Sequence, residues 1–174
     1  MLEILYQDDH LVAIDKPAGL LVHASPIARD AEEFAIQLLR DQIGQRVYPC
    51  HRLDRKTAGV LIFALDKGSH RIVSDAFMNN EVEKWYHAIV RGYITEAGES
   101  TQSLINDKLK RQDAHTHFKP LKYTEMAFPT GNFPTSRYTL MELKPVTGRM
   151  HQLRKHMDIM RHPTIGDRPY GCNK

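Results

Sequence analysis

Residues 59–65 read GVLIFAL, seven positions without one polar side chain. Uninterrupted apolar sequence of that length is what a central strand covered on both faces requires. The rest of the chain therefore has to supply its neighbours and its cover. LEILYQDDHLVAID, residues 2–15, holds two short apolar runs around Gln7-Asp8-Asp9 and predicts a hairpin. In KPAGLLVH, Pro17 and Gly19 punctuate a turn before another short strand. Ala31, Phe34, Ala35, Leu38 and Leu39 fall at helical spacing, with Asp30 and Glu33 as a capping box and Gly44 as the stop. After the apolar run, Ser69 is placed to cap a second helix whose buried stripe is Ile72, Val73, Ala76 and Phe77.

The second half continues in the same style. EKWYHAIVRGYI, residues 83–94, reads as a strand, and LKYTEMAF and TSRYTLMEL as two more joined by the turn PTGNFP. Residues 96–118 are polar, and NDKLKRQDAHTHFK is the expected mobile loop. A last helix from about Arg149 to Met160 carries Met150, Leu153, Met157 and Met160 on one side. No internal repeat, linker or low-complexity tract interrupts the pattern. The expected class is α+β, a mostly antiparallel mixed sheet with helices packed on it, in a single domain of residues 1–174.

Several function classes fall away on composition. No segment reaches the roughly 18 consecutive apolar residues of a membrane span, and the acids in MLEILYQDDH stand where an export signal carries basic residues. Cys50 and Cys172 make no disulfide framework and read as reduced cytoplasmic thiols. The formal net charge of +3 is unevenly placed: residues 1–87 have 10 Lys+Arg against 13 Asp+Glu, and residues 88–174 have 14 against 8. A polyanionic partner fits that asymmetry, and so does an ordinary solvated basic face. Ten histidines raise the question of a metal. HTH at 115–117 falls in a polar stretch, His151 and His156 are spaced by five, and no HExxH or CxxC occurs, so no metal is expected. GxGxxG, GxxxxGK[ST] and GxSxG are absent as well, which removes support for nucleotide cofactors and serine hydrolysis.

The chemistry-bearing residues lie just before the apolar strand. In CHRLDRKTAGV, residues 50–60, one carboxylate, Asp54, sits among Arg52, Arg55 and Lys56. A surface turn with scattered ion pairs accounts for this. So does a carboxylate kept ionised as a nucleophile, with a fixed arginine offsetting its desolvation. A second cluster is TGRMHQLRKHMDIMRHPTIGD, residues 147–167. Between Lys144 and Arg161 five Lys/Arg face a single acid, Asp158, and His151, Arg154, Lys155 and Asp158 share the helix face away from the methionines. That face suits phosphates, as it would suit water. Trp85 and Tyr86 alternate in a strand, one for the core and the other open to stacking on a base.

Taken in order, AIDKPAGLLVH, HRLDRKTAGVLIFAL, EKWYHAIVRG, PVTGRMHQLRKHM and RHPTIGDRPYG resemble the RluA-type pseudouridine synthases over nearly the whole chain. The start of the chain, RDQIGQRV and GDRPYGCNK look most like that family's tRNA-acting C group. The resemblance implies isomerisation of a uridine to pseudouridine in structured RNA, most of all tRNA, without a cofactor. It implies that Asp54 is the catalytic aspartate, that Arg52 helps displace the target nucleotide, that Tyr86 stacks on the flipped uracil, and that Arg154 pairs with the aspartate. His51, Arg55 and Thr57 around the aspartate, and Arg149, His151 and Lys155 towards the last helix, become the expected RNA contacts. Flipping a paired uridine costs a few kcal/mol that such contacts offset.

The chain departs from the family's pattern in three respects. Thr57-Ala58-Gly59 stands where members commonly have T-S-G. No S4-like RNA-binding module is expected. Family chains usually continue past GDRPYG into further strands, so part of the sheet is expected to be lacking. The competing expectations are a shortened synthase that only binds RNA, and a relative acting on ribosomal RNA. A cytoplasmic monomer without an obligate protein partner or a membrane completes the reading.

Overall fold

The structure, a computed structural model, describes residues 1–24, 32–129 and 133–171. The chain divides into two compact units, Met1–Glu81 and Val82–Lys174.

In the first unit β1 (Glu3–Gln7) and β2 (Leu11–Lys16) form the expected hairpin. Asp8 makes its turn: one carboxylate oxygen accepts the backbone N–H groups of His10 and Leu11 at 2.8 and 2.7 Å. The sheet order is β1-β2-β4-β3, all antiparallel, with β3 (Tyr48–Pro49) at one edge and β4 (Gly59–Ala64) inside. The apolar run is thus an interior strand. Its Leu61 and Phe63 are buried with Val12 and Ile14 of β2 against Ala35 and Leu39 of α1 (Ala35–Ile43). Cover on the other face is incomplete, because Ile62 is only half-buried and Val60 is 55% exposed.

Gly44 stops α1 as expected, in the left-handed region at φ 70°, its N–H reaching the Arg40 carbonyl. The start of α1 differs from expectation. Asp30 lies outside the described residues, and the cap position is Phe34, without a side-chain cap bond. Backbone groups hold this end instead, Ala35 and Ile36 donating to the carbonyls of Leu21 and Val22. The strand expected after Pro17 and Gly19 is reduced to a bridge between Leu21 and Phe34. In α2 (Lys67–Met78) the cap is Asp66, not Ser69. The Asp66 carboxylate accepts both the N–H and the hydroxyl of Ser69, and an anion at the positive helix end is the stronger acceptor. Ile72 of the expected stripe is 72% exposed, while Val73, Ala76 and Phe77 are half-buried.

The second unit is built on a sheet of order β5-β10-β9-β6, again antiparallel: β5 (Tyr86–Arg91), β6 (Gly98–Ser100), β9 (Thr116–Met126) and β10 (Ser136–Pro145). Pro120 has no N–H for the ladder, and the β9–β10 register shifts there. The expected mobile loop is a small hairpin of β7 (Leu104–Ile105) and β8 (Arg111–Gln112). The carboxamide oxygen of Asn106 accepts the N–H groups of Lys108 and Lys110 and ties this tip, a local bond that polarity alone does not reveal. The turn PTGNFP includes residues 130–132, outside the described residues, as does Cys172.

Helix α3 (Gln152–Ile159) starts later than Arg149, because His151 at its cap adopts φ 54°. Met157 is buried with Val90, Ile94, Met141 and Leu143, and Leu153, Met160 and Tyr86 pack against them. Met150 precedes the helix and stays exposed. The observed class is α+β, as expected. Among the described residues no helix is long and apolar enough to cross a membrane.

Candidate active site

Asp54 is half-buried on the loop that leads into β4, and its carbonyl accepts the Thr57 N–H at 3.0 Å. The loop is stitched from several sides. His51 Nε2 accepts the Ile62 N–H at 3.1 Å, and its ring stacks on Phe77 at 4.2 Å. Arg55 donates from Nε to the Gly19 carbonyl at 3.0 Å, and its own carbonyl accepts the Gly19 N–H at 2.7 Å. Arg52 and Lys56 are exposed. Cys50 is free and buried, and burial pushes its thiol up to about 11, so it is no nucleophile at neutral pH.

The residue that motif reading missed here is Lys16. It is fully buried, and its ammonium donates to the carbonyls of Pro17, Leu20 and Arg55 at 2.9, 2.8 and 3.3 Å. Desolvation holds its pKa below the ordinary lysine value, and the Asp54 charge works in the opposite direction. The signal was the strand period: Val12, Ile14 and Lys16 alternate onto one buried face.

In the second unit Tyr86 opens β5 and packs partly buried against the core. Trp85 is 55% exposed, with the Lys144 ammonium 4.9 Å from its ring centroid. Helix α3 is held by a buried polar relay. Gln152 donates from Nε2 to the His115 carbonyl and the Thr116 hydroxyl, each at 2.9 Å. Thr116 meets His156 Nδ1 at 2.9 Å, and His156 Nε2 meets the Gln102 carbonyl at 2.9 Å. Burial keeps His156 below the ordinary histidine pKa, so the ring is neutral, donating from Nε2 and accepting at Nδ1. Gln152 Oε1 also accepts the Arg149 N–H at 3.0 Å and the Thr147 hydroxyl at 2.7 Å.

Arg154, on this helix, donates from Nε and Nη2 to the two carboxylate oxygens of Asp167 at 2.6 and 2.8 Å. The Tyr170 ring centroid is 5.0 Å from its guanidinium carbon. Lys155 donates to the Ile105 carbonyl at 2.9 Å, Arg149 to the Asp113 carbonyl at 2.9 Å, and His151 Nδ1 meets the Tyr170 hydroxyl at 2.9 Å. Glu99, His115 and His117 form a grouping with metal-ligand spacing among the described residues, their ligand atoms within 4.8 Å of one another. Glu99 contacts both imidazoles, His115 at 2.9 Å and His117 at 3.5 Å.

Comparisons with known proteins give the family. The family model described as RNA pseudouridylate synthase matches residues 10–158. The chain is 51% identical to the tRNA pseudouridine synthase C of Vibrio vulnificus, covering all of this chain and 76% of the relative. It is 52% identical to that of Vibrio cholerae, covering 98% of this chain and 75% of the relative, so both relatives are longer. Among solved structures, human RNA pseudouridylate synthase domain containing 4 superposes with a TM-score of 0.73 at 30% identity, over 97% of this chain and 68% of that one. Human RNA pseudouridylate synthase domain containing 1, at 24% identity and a TM-score of 0.76 over 98% of this chain and 70% of that one, shares the fold. A match across most of the chain, joined to half-identical relatives, places this protein in the RNA pseudouridylate synthase family.

Proposed function

We propose that this protein isomerises a specific uridine to pseudouridine in tRNA. The observation that carries the reading is Asp54, a half-buried carboxylate on a loop fastened by the buried Lys16 ammonium, inside the segment that matches the family. In the reaction the uracil N1–C1′ bond breaks, the base turns over while held, and C5 bonds to C1′. The C5 hydrogen leaves as a proton and N1 gains one, so composition and oxidation state are unchanged and no cofactor is required. Attack by Asp54 at uracil C6 and attack at the sugar C1′ both need an ionised carboxylate. We assign the nucleophile to Asp54, the stacking platform to Tyr86, and the cation that balances the aspartate in the family's pattern to Arg154. Arg52, Arg55, Arg149, His151 and Lys155 are the proposed RNA contacts, and His51 and Thr57 serve by shaping the aspartate loop. The reading carries with it one catalytic domain, working as a cytoplasmic monomer.

The test is tritium release from tRNA labelled at uracil C5, since forming the C5–C1′ bond expels that hydrogen. Wild-type protein should release it stoichiometrically from the target position. Asp54→Asn should abolish release and leave tRNA affinity within about twofold. Equal release by both proteins would sink the assignment of Asp54, and no release by folded wild-type protein would leave an RNA-binding function.

A further inference from the structure

The segment 161–171, RHPTIGDRPYG, contains no residue assigned to the reaction, yet it holds the Arg154 side chain. We propose that Asp167 is a positioning residue that fixes the Arg154 guanidinium in its working orientation before RNA arrives. The inference rests on the proposed role of Arg154.

Three observations carry it. First, the contact is a two-pronged fork with a buried base: the Asp167 side chain is 4% exposed and that of Arg154 25%. A carboxylate matching the planar guanidinium edge at two points sets its direction as well as its distance. The fork engages the donors on Nε and one on Nη2. The Tyr170 ring lies against the same guanidinium, and its hydroxyl meets His151 at the cap of α3. Second, the segment is itself fixed. Arg91 N–H donates to the Pro163 carbonyl, Ile165 N–H to the Ile89 carbonyl, and Val90 bridges Thr164, so residues 163–165 dock along the outer edge of β5. The strand they grip begins with Tyr86. Arg154 is thereby tied, through Asp167, to the strand that carries the proposed stacking platform. Third, both ends of the turn use glycines that a side chain would disturb. Gly166 has φ 75°, and at Gly171, φ 91°, a Cβ would lie 2.6 Å from the Asp158 carboxylate. An unanchored arginine would have to be ordered in the substrate complex, at a cost to the rate of the chemical step.

The test pairs kinetics with a direct view of the guanidinium in the full chain. Asp167→Asn should lower the kcat for tritium release by about 100-fold with KM within about threefold, the pattern of a displaced reacting group. In protein labelled with 15N-arginine, and with Arg154→Lys used for assignment, the Arg154 Nε–H signal should be protected from solvent exchange without RNA and lose that protection in Asp167→Asn. An unchanged kcat would overturn the proposal. So would lost activity with Arg154 still protected, since Asp167 would then act on the fold in general. If Asp167→Asn does not fold, the wild-type spectrum decides, because an Arg154 Nε–H exchanging as freely as an exposed arginine is incompatible with a preset side chain. Failure of the functional reading looks different: Asp54→Asn would stay active, or the wild type inactive, while the Arg154 signal stayed protected.

Discussion

Lys16 shows how much one side chain can do in this protein. Removing its ammonium leaves the Pro17, Leu20 and Arg55 carbonyls without a common donor and takes a cation away from Asp54. Lys16→Met should therefore lower unfolding stability by about 3 kcal/mol, read by urea denaturation. It should also reduce tritium release at neutral pH. The stability effect has a defined pH sign. The folded-state pKa of Lys16 is lowered, so between that value and the ordinary lysine value the unfolded chain binds more protons. The wild-type advantage over Lys16→Met should grow as pH rises through that window, and an advantage that shrank would contradict the assignment. Sequence alone showed Asp54 and its neighbouring cations, but not that the buried cation comes from elsewhere in the chain. Arg55 and Lys56 lie one and two positions after Asp54 and are exposed, whereas Lys16 is 38 positions away and fully buried.

At the scale of an element, α3 is fastened by polar groups more than its methionine stripe suggests. The chain of bonds from Gln152 through Thr116 and His156 to Gln102 works only with a neutral imidazole. Because the His156 pKa is lowered on folding, the unfolded chain takes up protons first as pH falls below about 6.5, and stability is lost from there down through the folded value. Thermal melts between pH 7.5 and 5 should show a declining midpoint, with a shallower decline in His156→Gln. An equal slope in both proteins would place the proton uptake elsewhere. The periodicity of α3 was legible, since Leu153, Met157 and Met160 do face the core. The cap at His151 was not, because a left-handed φ at a histidine is set by what surrounds it. Asp66 taking the place of Ser69 as the cap of α2 is a similar case, decided by which carboxylate the chain delivers to the first turn.

For the whole molecule, the uneven charge predicts how it meets RNA. Residues 88–174 carry 14 Lys+Arg against 8 acids, so tRNA affinity should fall steeply with salt as counterions are displaced. Lys155→Ala should make the log–log salt slope shallower by about one if Lys155 meets a phosphate, and leave it unchanged if its bond to the Ile105 carbonyl is its whole role. Filter binding at a series of salt concentrations reads the difference. By itself the sequence determined the α+β class, the interior position of GVLIFAL, the hairpin at Asp8, the stop at Gly44 and the blocks that mark the family. These follow from local periodicity, turn chemistry and short motifs, which are written in consecutive residues. Only the tertiary structure decided that Lys16 is buried against the carbonyls of Pro17, Leu20 and Arg55, that the polar 104–112 stretch is a hairpin, and that Asp167 grips Arg154. Each of these is settled by which distant groups share a desolvated space, where an unpaired charge or carbonyl is too costly to leave unmatched.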